Sequence, residues 1–196
     1  MKVRSWSAAA LAVFGAALSQ GAFAHGLHAD AAGVGSGLAH PFVGLDHLLA
    51  MLAVGLWAAQ AGGRAVWALP AAFLAMMGAG AALAWFGVGL PAVEPGVAAS
   101  VLVLGLLVAM AVRLPVALAA GVVAAFAVLH GYAHGAEMPV AGSVAGYVVG
   151  FLAGTALLHA TGLGIGTLLR ERHAALLRFA GAGVALLSAG LFVAAR

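Results

Sequence analysis

The sequence predicts an all-α integral membrane protein, a compact bundle of six transmembrane helices that follows a cleaved N-terminal signal peptide. Three observations predict this fold class. Hydrophobic residues make up 65% of the 196 residues and charged residues only 7%, whereas soluble domains have about 25% charged residues. Apolar segments of roughly 20 residues, the length that crosses a bilayer, recur along the chain. Arginines fall in alternate connections between these segments.

Residues 1–24 have the layout of a secretory signal peptide. Two basic residues precede an apolar stretch from about Ala8 to Leu18, and Ala22-Phe23-Ala24 offers a small-residue cleavage site. The apolar stretch is too short to span a bilayer by itself. Cleavage after Ala24 would leave residues 25–37 as a short, histidine-containing periplasmic segment. An uncleaved anchor is the alternative.

Residues 38–196 form the predicted six-helix transmembrane domain. Prolines support the segment boundaries, because a proline in the first turn of a helix loses no hydrogen bond, and Pro41, Pro95, Pro115 and Pro139 each fall there. The six apolar segments lie near residues 38–60, 66–88, 93–112, 114–132, 139–162 and 174–195.

The arginines predict the orientation of the bundle in the bacterial inner (cytoplasmic) membrane. If the mature N-terminus is periplasmic, three connections are cytoplasmic, and they contain Arg64, Arg113, Arg170, Arg172 and Arg178, whereas only Arg196 lies outside. The two predicted external connections contain no lysine or arginine. This distribution obeys the positive-inside rule.

The fifth segment has a glycine at every fourth position. Glycines at this spacing form a ridge that lets another helix backbone approach closely, either within the chain or in a homo-oligomer. The ridge consists of Gly142, Gly146, Gly150 and Gly154.

Three titratable residues, His40, Asp46 and His47, lie in the outer half of the first apolar segment. An ionisable group within a membrane is costly and is normally paired, hydrated or functional. On a continuous helix, His40, His47 and Met51 would share one stripe. The two imidazoles and the carboxylate are predicted to converge on a metal ion, although Asp46 could instead merely orient His47.

A second cluster lies at the end of the fourth segment, where His130, His134 and Glu137 have i, i+4, i+7 spacing. They stack on one face if the helix continues through Gly131 and Gly135. Because this segment runs outward, the cluster is predicted at the same membrane level as His40 and His47.

Several further residues are candidates for the metal path. Glu94 begins the third segment, where an acidic residue also suits the helix dipole. His159 lies near the inner end of the fifth segment, as a later ion contact or as a hydrogen-bonded structural histidine. The external segment contains His25, His28 and Asp30, which could capture a cation or be a solvated tail.

The ligand types limit the metal to a class. The chain has no cysteine, so nitrogen, oxygen or thioether ligands must hold the ion, and the two clusters offer imidazoles and carboxylates. This combination suits divalent ions such as Ni²⁺, Co²⁺ and Zn²⁺ but does not distinguish them.

The two motifs, His40-Pro41-x-x-Gly44-x-Asp46-His47 and His130-Gly131-x-Ala133-His134-Gly135-x-Glu137, resemble those of the HupE/UreJ family of nickel and cobalt permeases. The resemblance extends over essentially the whole mature chain. It implies uptake of Ni²⁺ or Co²⁺ for a metalloenzyme such as hydrogenase or urease. The residues it implies as required are His40, Asp46, His47, His130, His134 and Glu137.

The sequence lacks the motifs of two other function classes. No P-loop is present, which predicts transport without ATP hydrolysis by this chain, and no H-E-x-x-H motif indicates an intramembrane metalloprotease. We therefore expect no enzyme activity and no permanently bound cofactor. The small excess of 8 Lys+Arg over 5 Asp+Glu does not indicate a nucleic-acid partner. A metal-binding accessory for metalloenzyme maturation and a bis-histidine haem protein are the alternatives.

Overall fold

The computed structural model describes residues 33–138 and 143–194, and these residues form seven α-helices without any strand. The helices are α1 (Val34–Ala39), α2 (Leu45–Ala61), α3 (Ala65–Trp85), α4 (Val93–Ala109), α5 (Val116–Ala136), α6 (Val144–Leu169) and α7 (Ala174–Ala194). The predicted all-helical class is thus confirmed for these ranges. The predicted signal peptide, Pro139, Gly142 and the tail residues His25, His28 and Asp30 lie outside the described residues.

Helices α3, α5 and α6 are long and apolar enough to cross a membrane, and α1 and α2 together make a fourth candidate span that is bent by 82°. Helix α4 and the Ala174–Gly190 part of α7 are shorter apolar helices. The chain is therefore a multi-pass membrane protein with three to four candidate spans among its described residues. The arrangement of six spans stays a prediction.

The expectation that the first apolar segment is one continuous helix is wrong. Helix α1 is followed by a 3-10 turn at His40–Phe42, and α2 starts only after Gly44, whose extended backbone (φ −83°, ψ 117°) begins the new helix. His40 and His47 therefore do not share a helical stripe. The bend, and not the helix period, determines how close these two histidines lie.

The boundaries of two other segments also differ from the prediction. Helix α5 continues through Gly131 and Gly135 to Ala136, so residues expected in an external connection are helical. Helix α6 begins at Val144 and extends to Leu169, seven residues beyond the predicted end. Both helices remain apolar over these residues, and neighbouring helices cover part of them, which explains why the glycines do not end α5.

Helix α2 lies at the centre of the packing and contacts α3, α4 and α6. Most of its residues from Ala50 to Ala59 are buried, and Trp57 is fully buried, where its indole N–H donates to the Val112 carbonyl at 2.8 Å. The other main pairs are α3 with α5 and α4 with α7. His47 lies near the start of this central helix, with 13% of its side chain accessible.

The glycine ridge of α6 packs against α1 of the same chain. A Cβ atom added at Gly150 would collide with the Val34 carbonyl, and one at Gly154 would lie 2.6 Å from the Leu38 carbonyl oxygen. Gly146 also faces Val34. These glycines therefore hold α1, and through it His40, close to α6. The homo-oligomer stays a prediction.

Arginines gather at the end of the bundle where α2 terminates. Arg113, Arg170 and Arg178 line a cavity of about 400 Å³ together with Gln60, and Arg178 Nε donates to the Ala109 carbonyl at 2.9 Å. His47 lies near the opposite end of α2. The cationic end and the histidine end of the bundle are thus separated by the length of this helix.

Candidate metal centre

The strongest metal-binding arrangement among the described residues consists of His40, His134 and Glu137, whose ligand atoms all lie within 4.8 Å of one another. His40 Nε2 lies 2.8 Å from His134 Nδ1 and 3.5 Å from a carboxylate oxygen of Glu137. His40 comes from the turn after α1, whereas His134 and Glu137 come from the end of α5. Residues from the two sequence motifs therefore meet across the bundle.

The spacing of these atoms suits a transition-metal ion. Ligands at about 2.1 Å from a cation are separated by about 3.0 Å in octahedral and about 3.4 Å in tetrahedral geometry. The observed 2.8 and 3.5 Å bracket these values. Small side-chain shifts would therefore place a cation where the imidazoles now share a proton.

Glu137 follows the last turn of α5 and is the most exposed member of the group, with 65% of its side chain accessible. The imidazole of His40, which directs a ring nitrogen at the carboxylate, lowers the pKa of Glu137 and outweighs the burial that would raise it. The carboxylate therefore stays ionised and supplies the negative charge that attracts a cation to this end of the bundle.

His47 lies beside this group and is oriented by its sequence neighbour. Asp46 accepts hydrogen bonds from His47 Nδ1 at 2.7 Å and from the His47 backbone N–H at 2.9 Å. A carboxylate that holds one imidazole nitrogen leaves the other with a free lone pair, as in many metal sites. His47 Nε2 is buried and has no hydrogen-bond partner among the described residues, so Asp46 positions His47 in this geometry.

Gly44 makes room for this Asp46–His47 pair. A Cβ atom at position 44 would lie 3.0 Å from His47 Nδ1 and 3.1 Å from Asp46 Oδ1, which is closer than side chains normally approach. The first motif thus requires a glycine at position 44 because any side chain would crowd this pair, a constraint that the sequence alone did not reveal.

His130 lies one turn deeper on α5 and is fully buried. Its Nε2 lies 2.7 Å from the hydroxyl oxygen of Ser100, and that hydroxyl donates to the Val97 carbonyl at 2.6 Å. Because a hydroxyl has a single proton, the imidazole supplies Nε2–H to the second contact. His130 Nδ1, which is buried without a partner among the described residues, then keeps a lone pair for a metal ion.

The four imidazoles form a continuous series of contacts. Ring centroids are 4.7 Å apart for His40 and His134, 4.0 Å for His134 and His47, and 5.0 Å for His47 and His130. A cation bound at the His40 end would therefore find further imidazoles at successively deeper positions. All four are carried by the α1–α2 turn, the start of α2, or α5.

Aromatic side chains from α6 cover the outer imidazoles. Phe151 contacts His134 with a centroid distance of 4.3 Å, and Tyr147 contacts His40 at 5.6 Å. A cavity of about 280 Å³, which is lined mainly by apolar groups, reaches His134 between α3, α5 and α6. The outer imidazoles therefore border mainly apolar groups on that side.

Two predicted residues lie apart from the group that the structure brings together. Glu94 is exposed in the first turn of α4 and is outside the group of converging ligand atoms, a position that suits the helix dipole. His159 is 2% exposed within α6 and contacts Phe73 rather than the outer imidazoles. Of the other six predicted residues in the described ranges, three form the group, and Asp46, His47 and His130 lie beside it through a hydrogen bond and ring contacts.

Sequence reasoning missed Ser100 and Phe73. Ser100 is a buried polar residue among apolar neighbours in α4, and that isolation was the one signal that could have drawn attention to it. Phe73 contacts His130 with a centroid distance of 5.7 Å, but a phenylalanine in an apolar segment carries no comparable signal.

Comparisons with known proteins agree with the motifs. A sequence model of the family described as HupE / UreJ protein matches residues 11–191 of this chain. Protein HupE of Rhizobium leguminosarum bv. viciae is 48% identical over 182 residues, which cover 91% of this chain and 94% of that protein. No solved structure matches the chain. The family match includes all the residues that build the metal centre.

Proposed function

Because the chain belongs to the HupE/UreJ family, we propose that it is a permease of the bacterial inner membrane that takes up Ni²⁺ or Co²⁺. Its cargo would supply a metalloenzyme such as hydrogenase or urease. The mature N-terminus and the histidine end of the bundle face the periplasm in this proposal, and the arginine-rich end faces the cytoplasm. Transport proceeds without ATP hydrolysis by this chain.

The observation that carries the proposal is the convergence of His40, His134 and Glu137 at one end of an apolar bundle. Imidazole and carboxylate groups at this spacing suit a divalent transition metal. Ionisable residues within a membrane protein commonly mark an ion path. The deeper lone pairs of His47 and His130 extend the same chemistry toward the centre of the membrane.

In the proposed mechanism, Glu137 attracts the hydrated cation, with Glu94 and the external segment of His25, His28 and Asp30 adding to the attraction. His40 and His134 then replace part of the hydration shell, and the proton between them moves to the other ring nitrogen of the donor imidazole, so that both rings bind as neutral ligands. His47 and His130 take over the ion as it moves inward. Transit requires each of these contacts to be weak enough to exchange.

The test is uptake of radiolabelled nickel and cobalt by cells that express the protein. His134→Ala is expected to abolish uptake, because His134 contacts both His40 and His47. The matched control is His173→Ala, since His173 is an exposed histidine between α6 and α7, and it should leave uptake unchanged. Membrane insertion of each variant is checked by immunoblotting of the membrane fraction.

Equal uptake by His134→Ala and the unsubstituted protein would refute the site. Metal binding by purified protein without any flux in cells or vesicles would instead assign the chain as a metal-binding accessory. Competition of the labelled ion with unlabelled nickel, cobalt and zinc decides which of these ions is preferred.

A further inference from the structure

His159 is a buried imidazole that the outer metal centre does not use. It lies in α6 with 2% of its surface exposed, and neither ring nitrogen has a hydrogen-bond partner among the described residues. Burying a polar group without a partner costs about 1–3 kcal/mol by mutational data. A histidine in this state is therefore suited to bind something that enters from outside the polypeptide.

The position of His159 follows from a stripe of residues on α6. Tyr147, Phe151, Thr155 and His159 recur every four residues and so lie on one helical face. The first two contact the outer imidazoles. His159 is eight residues beyond Phe151, which places it about 12 Å deeper along the helix.

Two further atoms that can bind a metal ion, the Thr155 oxygen and the Met77 sulfur, lie about one turn outward from His159. Thr155 is fully buried, and its hydroxyl donates to Met77 Sδ at 3.9 Å. Met77 is itself fully buried on α3. An imidazole, a hydroxyl and a thioether thus border the same interface between α3 and α6, and these groups suit weak binding of a borderline divalent ion.

Phe73 connects this region with the outer cluster. Its ring centroid lies 5.7 Å from that of His130 and 4.9 Å from that of His159. Phe73 is fully buried one turn inward from Met77 on α3. The phenyl ring therefore contacts the deepest imidazole of the outer cluster on one side and His159 on the other.

We propose that His159, with Thr155 and Met77, is a second, inner station for the divalent cation, and that Phe73 separates it from the outer cluster. The assignment rests on the proposed function. A cation leaving His130 reaches His159 when the Phe73 ring rotates aside. Because a single imidazole contributes to the inner station, the ion keeps part of its water and is held weakly, which favours release toward the arginine-rich end.

A cysteine substitution provides a spectroscopic test on purified full-length protein, because the natural chain has no cysteine. In the His159→Cys variant, added Co²⁺ is expected to bind the new sulfur as a thiolate and to produce a thiolate-to-cobalt charge-transfer band in the near ultraviolet. The matched control is Thr161→Cys, which places the thiol on an exposed position of the same helix and should give no band. Absence of the band in His159→Cys, or its presence in both variants, would overturn the inner station.

Nickel uptake separates this inference from the proposed function. His159→Leu keeps the bulk of the side chain and removes both nitrogens, so we expect the maximal rate to fall about tenfold or more while KM, determined by the outer cluster, stays the same. A full rate in His159→Leu overturns the inner station and leaves the permease intact. No uptake by the unsubstituted protein overturns the permease, whereas the cobalt band still decides whether His159 binds metal.

Discussion

Replacing Ser100 by alanine tests whether the side chain behind His130 matters for metal binding. The Ser100 oxygen lies 2.7 Å from His130 Nε2 and keeps the ring proton on that nitrogen. Without the hydroxyl, the buried Nε2–H loses its partner, and the proton can move to Nδ1, the nitrogen that otherwise keeps a lone pair for the metal ion. The variant removes a positioning contact and leaves every proposed ligand in place.

The expected magnitude follows from the burial of both groups. Ser100 and His130 are fully buried, so the unpartnered ring nitrogen costs about 1–3 kcal/mol. Part of this cost falls on the metal-bound form, because a bound cation holds His130 in the tautomer that needs Ser100. Loss of a group that orients a metal-binding histidine typically weakens metal affinity about 10- to 100-fold. We therefore expect the KM for nickel uptake to rise by about tenfold or more.

Ser188 offers a matched control for this experiment. It is 3% exposed, and its hydroxyl donates to the Ala98 carbonyl of α4 at 2.8 Å, much as Ser100 donates to the Val97 carbonyl. Ser188→Ala removes a comparable buried hydroxyl but no contact to a described histidine. Initial uptake rates over a range of nickel concentrations are measured for both variants and for Ser100→Thr, which restores a hydroxyl.

Two results would refute the reasoning. A KM for Ser100→Ala equal to that of the unsubstituted protein would mean that the His130 tautomer does not limit binding. An equal rise in KM for Ser188→Ala would mean that the effect comes from looser packing of α4. Recovery of KM in Ser100→Thr is expected only if the hydroxyl itself matters.

Three further predictions follow from the same geometry. Asp46→Asn keeps an oxygen near His47 but removes the negative charge. It should raise the KM for nickel uptake about 10- to 100-fold. An unchanged KM would contradict the role of Asp46 as the group that orients His47. Protons compete with the cation for imidazole nitrogens, so uptake at a fixed nickel concentration should fall as the pH is lowered, while Glu137, whose pKa lies below its ordinary value, stays ionised in mildly acidic medium; a flat pH profile would argue against histidine ligands. Gly150→Ala should destabilise the protein by about 1–3 kcal/mol, because the added Cβ atom would collide with α1. Gly164→Ala should be neutral or slightly stabilising, because a Cβ atom there has no neighbouring atom within 4 Å. Thermal unfolding of both variants in detergent measures the difference.

The positions of the helices were predictable because they depend on local properties of the chain. Six apolar segments located helices in all six regions. Pro95 lies in the first turn of α4 as predicted, whereas Pro115 is the residue before α5 and Pro41 lies in the 3-10 turn before α2. The break at Gly44 was not predicted in this way, because residues 38–60 together have the length of a single membrane span. It depends on α1 packing against glycines that lie more than 100 positions later in the chain.

The candidate site was likewise predictable only where it depends on spacing within one segment of the chain. The four-residue spacing of His130 and His134 was enough to place them on one face of a helix, and the adjacency of Asp46 and His47 allowed the interpretation that one orients the other. Which histidine of the first motif meets which histidine of the second depends on helix packing and could not be obtained from spacing. Ser100 belongs to neither motif, so its contact with His130 required the structure.

The pairing of His40 with His134 has a consequence for the biogenesis of the protein. These two imidazoles are 94 positions apart in the chain, so they cannot meet until α5 has emerged from the ribosome and packed beside α3 and α4. Before that point, the nascent chain offers only His40 and the Asp46–His47 pair from the two motifs, without the second imidazole cluster and its carboxylate. A truncated or incompletely inserted chain would therefore sequester little metal, and affinity for the cation would arise together with the completed bundle.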